Sequence, residues 1–215
     1  GSSLQWNEAT SAIELVIPGG PYAWDAGGSD DNWNTAANWN YDQVPGASDE
    51  VVIGSSYTVS NAQNEFATLT IGASSTVTFG ESLSGGVVTN AGTMDYPGVF
   101  RLNGAQVQLT ETGSLGSNIT FLDLNGGNLS FEDGASFANA SMSFEHKGVN
   151  RFAFELSASG FTTLTAGTLH VSSDISNATY VVDMAIYTGA PQTIDLMDFS
   201  SGGTLTDAQF QTATL

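Results

Sequence analysis

The stretch FRLNGAQVQLTETGSLGSNITFLDLNGGNLSFEDG, residues 100–134, decides how this chain folds. Apolar and polar residues alternate in short runs, and each run ends in a Gly, an Asn-Gly or an Asp-Gly. A period of two places alternate side chains on one face of a strand. Gly and Asn supply the left-handed backbone that a sharp corner needs. Three phrases, FRLNG (100–104), FLDLNGG (121–127) and NLSFEDG (128–134), read as near copies of one unit, within a degenerate repeat running from about Phe66 to Phe161.

The same pattern extends outward in both directions. Upstream lie EVVIG (50–54), FATLTIG (66–72), STVTFG (75–80) and GVFRLNG (98–104). Downstream lie SMSFEHKG (141–148), NRFAFELSASG (150–160) and TLHVSS (168–173). Strands therefore recur about every 8 to 14 residues. The 25 glycines leave almost no window for a helix. Only TDAQFQT (206–212), with Thr206 as a cap, predicts a turn or two. The fold class is all-β, and the repeat predicts a β-solenoid closed by a Trp-rich amino-terminal cap. The alternative is a β-sandwich or jelly roll built from ordinary hairpins.

The amino-terminal region differs in kind, since all four tryptophans (Trp6, Trp24, Trp33 and Trp39) fall within it. Residues 1–21 read as an extra strand and linker, 22–65 as a cap with the first rung, and 66–215 as the body of one compact domain. A solenoid must cover its end rung, and aromatic rings bury the most area per residue. The apolar strand Ala12, Ile13, Glu14, Leu15, Val16, Ile17 precedes a Pro-Gly-Gly-Pro stop and has no evident hairpin partner close by.

Composition removes several classes of function. Twenty-two acidic residues face three basic ones, for a net charge of −19. Arg101, Lys147 and Arg151 cannot build the cationic surface that nucleic acid or an anionic membrane requires. Without cysteine there is no disulfide, thiolate chemistry or cysteine-ligated metal. No apolar run is long enough to span a bilayer, and the opening GSSLQW lacks the features of a signal peptide. Four Asn-x-Ser/Thr sequons, at Asn118, Asn128, Asn139 and Asn177, are about what chance yields in so Ser- and Thr-rich a chain.

Three sets of residues are candidates for chemistry. Asp25, Asp30, Asp31, Asp42 and Asp49 gather around the cap loops, where carboxylates can supply the oxygens that calcium takes. The alternative is that they form turns. Tyr22, Trp24, Trp33, Trp39 and Tyr41 lie close in sequence, and such rings either stack on sugars or pack inside the cap. Burial of Trp33 and Trp39 against Ile53 and Leu69 would favour the cap. In Glu145-His146-Lys147, alternation puts Glu145 and Lys147 on one face and His146 on the other, which reads as a surface ion pair; His170 follows the same logic. Among 22 acidic residues a carboxylate pair at glycosidase spacing, about 5 to 9.5 Å, arises by accident. No nucleophile elbow, phosphate loop or metal-ligand His spacing is present, so no enzyme is expected.

Residues 24–53, WDAGGSDDNWNTAANWNYDQVPGASDEVVI, carry a compound pattern: Trp24-Asp25 with Gly27-Gly28, Trp33 with Asn38-Trp39, Val44-Pro45-Gly46, and Asp49 with Val51 and Ile53. This resembles the opening module of large extracellular β-helical repeat proteins of the autotransporter-like and PEP-CTERM-type bacterial surface group. Residues 152–169 and 180–210 are similar to the segment preceding the sorting tail in such proteins. The chain ends at Leu215 without a Pro-Glu-Pro box, apolar helix and basic tail, so anchoring by that route is not expected. The resemblance implies an extracellular, cell-surface location and brings no catalytic residue with it.

The expected function is a non-enzymatic structural protein that self-assembles end to end as a filament, stalk or sheath subunit. Ala12–Ile17 would add as a strand to a neighbouring copy, or else pair along the solenoid's own edge or first rung. The alternative is a glycan-binding adhesive module using the cap rings, with calcium completing the site.

Overall fold

The computed structural model describes residues 3–9, 11–16, 19–64, 66–139, 142–147, 149–158, 161–171, 177–183 and 197–202. Nearly all their regular structure is strand, the exception being a single 3-10 turn at Ala36–Asn38. Apart from one antiparallel hairpin, the strands form three parallel sheets.

The first sheet has eight strands: Tyr22–Ala23, Glu50–Ile53, Thr68–Ile71, Val87–Asn90, Gln106–Leu109, Asn128–Glu132, Val149–Glu155 and Asn177–Asp183. The second holds Thr58–Ala62, Thr76–Phe79, Thr93–Asp95, Ser114–Leu115 and Ser136–Phe137. The third holds Leu83–Ser84, Gly98–Asn103, Ile119–Asn125, Ser143–Lys147, Leu164–Val171 and Met197–Gly202. In each sheet the spatial order is the chain order, because the chain visits the faces in turn and returns to the first one level along. This is a β-solenoid of about five coils. A sandwich or jelly roll would need antiparallel ladders, whereas every pairing within the three sheets is parallel.

The register gives the length of each coil. Glu50 pairs with Thr68, Thr68 with Val87, Val87 with Gln106, Gln106 with Asn128, and Asn128 with Arg151, so successive coils take 18, 19, 19, 22 and 23 residues. Some of the growth lies in the third sheet, whose strands lengthen from two residues at Leu83–Ser84 to six at Gly98–Asn103 and seven at Ile119–Asn125.

The interior is filled by two in-register rows of the first sheet and their counterparts on the other two. One row is Val51, Leu69, Val88, Val107, Leu129 and Phe152; the other is Ile53, Ile71, Asn90, Leu109, Phe131 and Phe154. Each fully buried Leu, Ile or Phe contributes about 1.5–3 kcal/mol. Phe131 stacks on Phe154 with ring centroids 5.3 Å apart, so the later coils are filled by rings where the earlier ones use aliphatic side chains.

Asn90 is the one polar member of these rows, and its amide is satisfied at the corner it occupies. Its Oδ1 accepts from Gly92 N at 3.0 Å, and its Nδ2 donates to the Ser114 carbonyl at 3.0 Å. Buried Ser75 has the same role in the preceding coil, donating to the Gly54 carbonyl and accepting from Tyr57 N at 2.9 Å. A buried polar group kept satisfied in this way fixes the corner conformation without the cost of an orphaned donor or acceptor.

The internal copies need one correction. FRLNG and FLDLNGG are equivalent, since Arg101 pairs with Asp123, Leu102 with Leu124 and Asn103 with Asn125 on the third sheet. NLSFEDG lies on the first sheet, in register with Gln106–Leu109. It shares their alternation because every inward strand of a solenoid must alternate, whichever face it lies on. The segment 206–212, expected to turn helically, lies outside the described residues.

Candidate functional site

The cap is built on tryptophans. Trp24, Trp33 and Trp39 are all buried, with Trp39 wedged between the other two in edge-to-face contacts at 5.0 Å and 4.7 Å. The Trp39 Nε1 donates to the Trp33 carbonyl at 2.8 Å, and Phe66 packs on Trp33 from the solenoid side. Asn38 is fully buried and knits the loop from within. It accepts from Gly28 N at 2.9 Å and donates to the carbonyls of Asp30 at 2.9 Å and Asn32 at 3.1 Å. Trp33 N donates to the Ser60 carbonyl at 2.9 Å and Ser60 N to the Asp31 carbonyl at 2.7 Å, which attaches the loop to the first strand of the second sheet. The spacing of Trp33, Asn38 and Trp39 thus has a packing reason.

That geometry decides the aromatic candidates. Tyr22, Trp24, Trp33 and Trp39 lie in the same buried cluster as Ile53 and Leu69 and present no ring face to a sugar. Tyr41 is half-buried, edge-on to Tyr22 at 5.2 Å. Burial, followed by the carboxylate of Asp49 and the neighbouring Tyr41, raises the Tyr22 phenol above its ordinary range. The sugar-stacking expectation is corrected here: an end rung that must exclude water takes the rings inward.

Three of the aspartates are turned onto their own loops. Asp25 Oδ1 accepts from Gly27 N at 3.0 Å, Asp30 Oδ1 from Asn32 N at 3.0 Å, and Asp49 Oδ2 from Gly46 N at 2.8 Å. Asp42 occupies a left-handed turn position at φ 50°, and Asp31 contributes its carbonyl to Ser60. Hydrogen bonds from the Thr35 side chain, the Asn32 backbone and the Asn38 side chain hold the Asp30 carboxyl below its ordinary pKa. Among the described residues no three carboxylate or histidine side chains converge as a metal site. The contacts of Asp25, Asp30 and Asp49 are those of turn formation, the other reading of these residues.

The amino-terminal strand has a hairpin partner, contrary to the expectation that none lies close by. Ser3–Asn7 and Ala12–Val16 form an antiparallel hairpin, a two-stranded sheet separate from the solenoid. The turn runs through Glu8 and Ala9 and closes at Ser11, which adopts φ 50°. Neither the solenoid's edge nor its first rung takes this strand among the described residues, and Ile17 lies outside them. The signal was present in SLQWN, whose Leu4 and Trp6 alternate four residues before the second strand.

Register places Leu4 opposite Leu15 and Trp6 opposite Ile13, so these four positions share one face. Leu4 is 73% exposed, Trp6 60% and Ile13 70%. Trp6 therefore does not belong to the cap, which uses three of the four tryptophans. The opposite face carries the positions of Gln5 and Glu14.

No protein-family model, curated protein or solved structure matches this chain. Function must accordingly be argued from the hairpin, the cap and the solenoid surfaces themselves. The strand Ser143–Lys147 forms as expected over Glu145, His146 and Lys147, and His170 falls within Leu164–Val171. No helix of the described residues is long and apolar enough to cross a membrane.

Proposed function

We propose that this chain is a non-enzymatic structural protein of a bacterial cell exterior whose copies associate end to end through the amino-terminal hairpin. The observation that carries this reading is the hairpin itself, a two-stranded sheet with Leu4, Trp6 and Ile13 exposed on one face. An isolated hairpin is marginal in water, and a face of this kind gains stability when a second surface covers it. The occupant is a second copy. The outer edge of Ala12–Val16 adds to a neighbour's Asn177–Asp183, the end strand of the first sheet among the described residues, while the apolar face packs beside it. Hairpin and acceptor lie on different regions of the chain, so the contact is heterologous and propagates as a fibre. A charge of −19 per copy opposes association at low ionic strength, so salt or divalent cations favour it.

Negative-stain electron microscopy and sizing chromatography of the chain, beside a variant lacking residues 1–17, test this with and without calcium. Fibres or discrete oligomers that disappear on truncation are the expected result. A monodisperse monomer in both proteins under all conditions would overturn it. Burial of Tyr22, Trp24, Trp33 and Trp39 weighs against the adhesive alternative at the cap.

A further inference from the structure

The outward face of the first sheet differs in character from the rest of this acidic molecule. Two in-register rows cross it between Thr68 and Ala153. One runs Thr68, Val87, Gln106, Asn128, Arg151; the other runs Thr70, Thr89, Gln108, Ser130, Ala153. The ten outward positions between Thr68 and Ala153 hold one of the chain's three cations and no carboxylate, whereas Glu50 precedes Thr68 in the first row and Glu132 and Glu155 lie just beyond Ser130 and Ala153. Two in-register acids, Glu132 and Glu155, flank these positions on the same strands; Glu132 Oε1 accepts from Gln108 Nε2 at 2.9 Å and Oε2 from Glu111 N at 3.1 Å. A shallow depression lies between the rows, lined by Val87, Gln106, Gln108, Asn128, Ser130 and Arg151.

The hydrogen-bonding state of these side chains sets them apart from the buried corners. Among the described residues, Gln106 and Asn128 form no side-chain hydrogen bond and Arg151 no ion pair, although Arg101, the other described arginine, is paired with Asp123. Three successive coils thus present two carboxamides and a guanidinium, about 4.8 Å apart, as parallel strands dictate. Carboxamides both donate and accept, which suits hydroxyl groups, and a guanidinium suits a carboxylate through paired N–H donors. An extended oligosaccharide offers hydroxyl-bearing rings at a spacing comparable to that between strands. One guanidinium in a field of −19 selects a ligand with a single acid, since a polyanion would be repelled by the surrounding surface.

From this geometry we infer that the outward face of the first sheet binds an oligosaccharide carrying a single carboxylate, its acid on Arg151 and its hydroxyls on Asn128 and Gln106. Val87, 41% exposed and next to Gln106 in the row, supplies the apolar patch against which a sugar face rests. The site is independent of the hairpin, so it stands or falls separately from end-to-end association.

The test is a titration of the 215-residue chain with sialyllactose, which carries one carboxylate, with lactose as the neutral arm and a heparin oligosaccharide as the polyanionic arm. Nitrogen-edited NMR reports the Gln106 and Asn128 side-chain amides directly. Millimolar sialyllactose is expected to shift those amides, lactose to shift them less, and heparin to leave them unmoved. R151Q should weaken sialyllactose binding about tenfold, the loss of one charge-assisted contact, and leave the lactose response unchanged. Gln63→Ala, away from this face, should change nothing. The inference is overturned if sialyllactose leaves both amides unshifted, if R151Q binds it as the parent does, or if heparin competes for the same amides. All these positions are exposed or half-buried, and a circular-dichroism melt matching the parent's confirms that each variant is folded.

Discussion

Trp39 Nε1 donates to the backbone carbonyl of Trp33 at 2.8 Å, and both rings are wholly removed from solvent. This bond closes the cap on itself at the point where it covers the first coil. Replacing Trp39 by Phe keeps a ring but leaves the Trp33 carbonyl buried without its donor, at a cost of about 1–3 kcal/mol. Trp39→Ala also opens a cavity, at about 3–5 kcal/mol. Urea denaturation of the three proteins should rank them in that order. Equal midpoints for parent and Trp39→Phe would show that the bond contributes nothing.

Gly116 is held against Asp95. The Asp95 carboxylate is almost buried, accepting from Tyr96 N at 3.0 Å and from the backbone and side chain of Asn118, and a Cβ on Gly116 would strike the carboxyl group. Gly116→Ala should cost about 1–3 kcal/mol, as overpacking does. Gly104 offers the comparison, with open space around it but a left-handed φ of 70°, so Gly104→Ala should cost about 1–2 kcal/mol from backbone strain alone. Relief of the Gly116→Ala defect by a second substitution, Asp95→Ala, would separate collision from strain.

Asp133 links two coils through acid-sensitive bonds. Burial by itself would raise its pKa, but hydrogen bonds from Ser157, from the backbone and side chain of Thr162 and from the Gly134 backbone outweigh burial and hold it below the ordinary 3.8. Thr162 N donates to its Oδ1 at 2.7 Å. With the folded-state pKa below the unfolded one, the stabilisation is complete above the unfolded value and is lost as the pH falls through the folded value. The urea midpoint should drop as the pH falls below the ordinary carboxylate range and through the lowered folded value, and less steeply in Asp133→Asn. Parallel curves for the two proteins would rule out this contribution.

The four tryptophans should separate in solution. Trp6 is 60% exposed, whereas Trp24, Trp33 and Trp39 are each 3% exposed or less. An aqueous quencher should reach one component of the fluorescence, and Trp6→Phe should abolish it. Under assembling conditions the component should become protected, because the hairpin face is then covered by the next copy. Quenching that persists in intact fibres would place Trp6 outside the contact.

Much of the architecture is legible in single phrases. EVVIG, STVTFG and AQVQLTETG contain the strands Glu50–Ile53, Thr76–Phe79 and Gln106–Leu109, because alternation with Gly punctuation admits few other conformations. The two-residue strands Leu83–Ser84, Ser114–Leu115 and Ser136–Phe137 carry no such signal. They are strands because neighbouring coils hold them in a ladder. The cap aspartates gave a misleading signal, since carboxylates that cap turns and carboxylates that hold metal are written in the same letters.

Sequence alone determined the all-β class, the solenoid expectation and, with no cysteine in the chain, the exclusion of thiol chemistry. Each of these depends on local periodicity or on totals, which need no knowledge of neighbours. Tertiary structure alone decided that Trp6 stands outside while three other tryptophans lie within. It also decided that Gln106, Asn128 and Arg151 form one row. Those facts depend on which residues meet across coils of unequal length, 19 residues here and 23 there. The register between coils is set by packing over the whole stack rather than by any one strand.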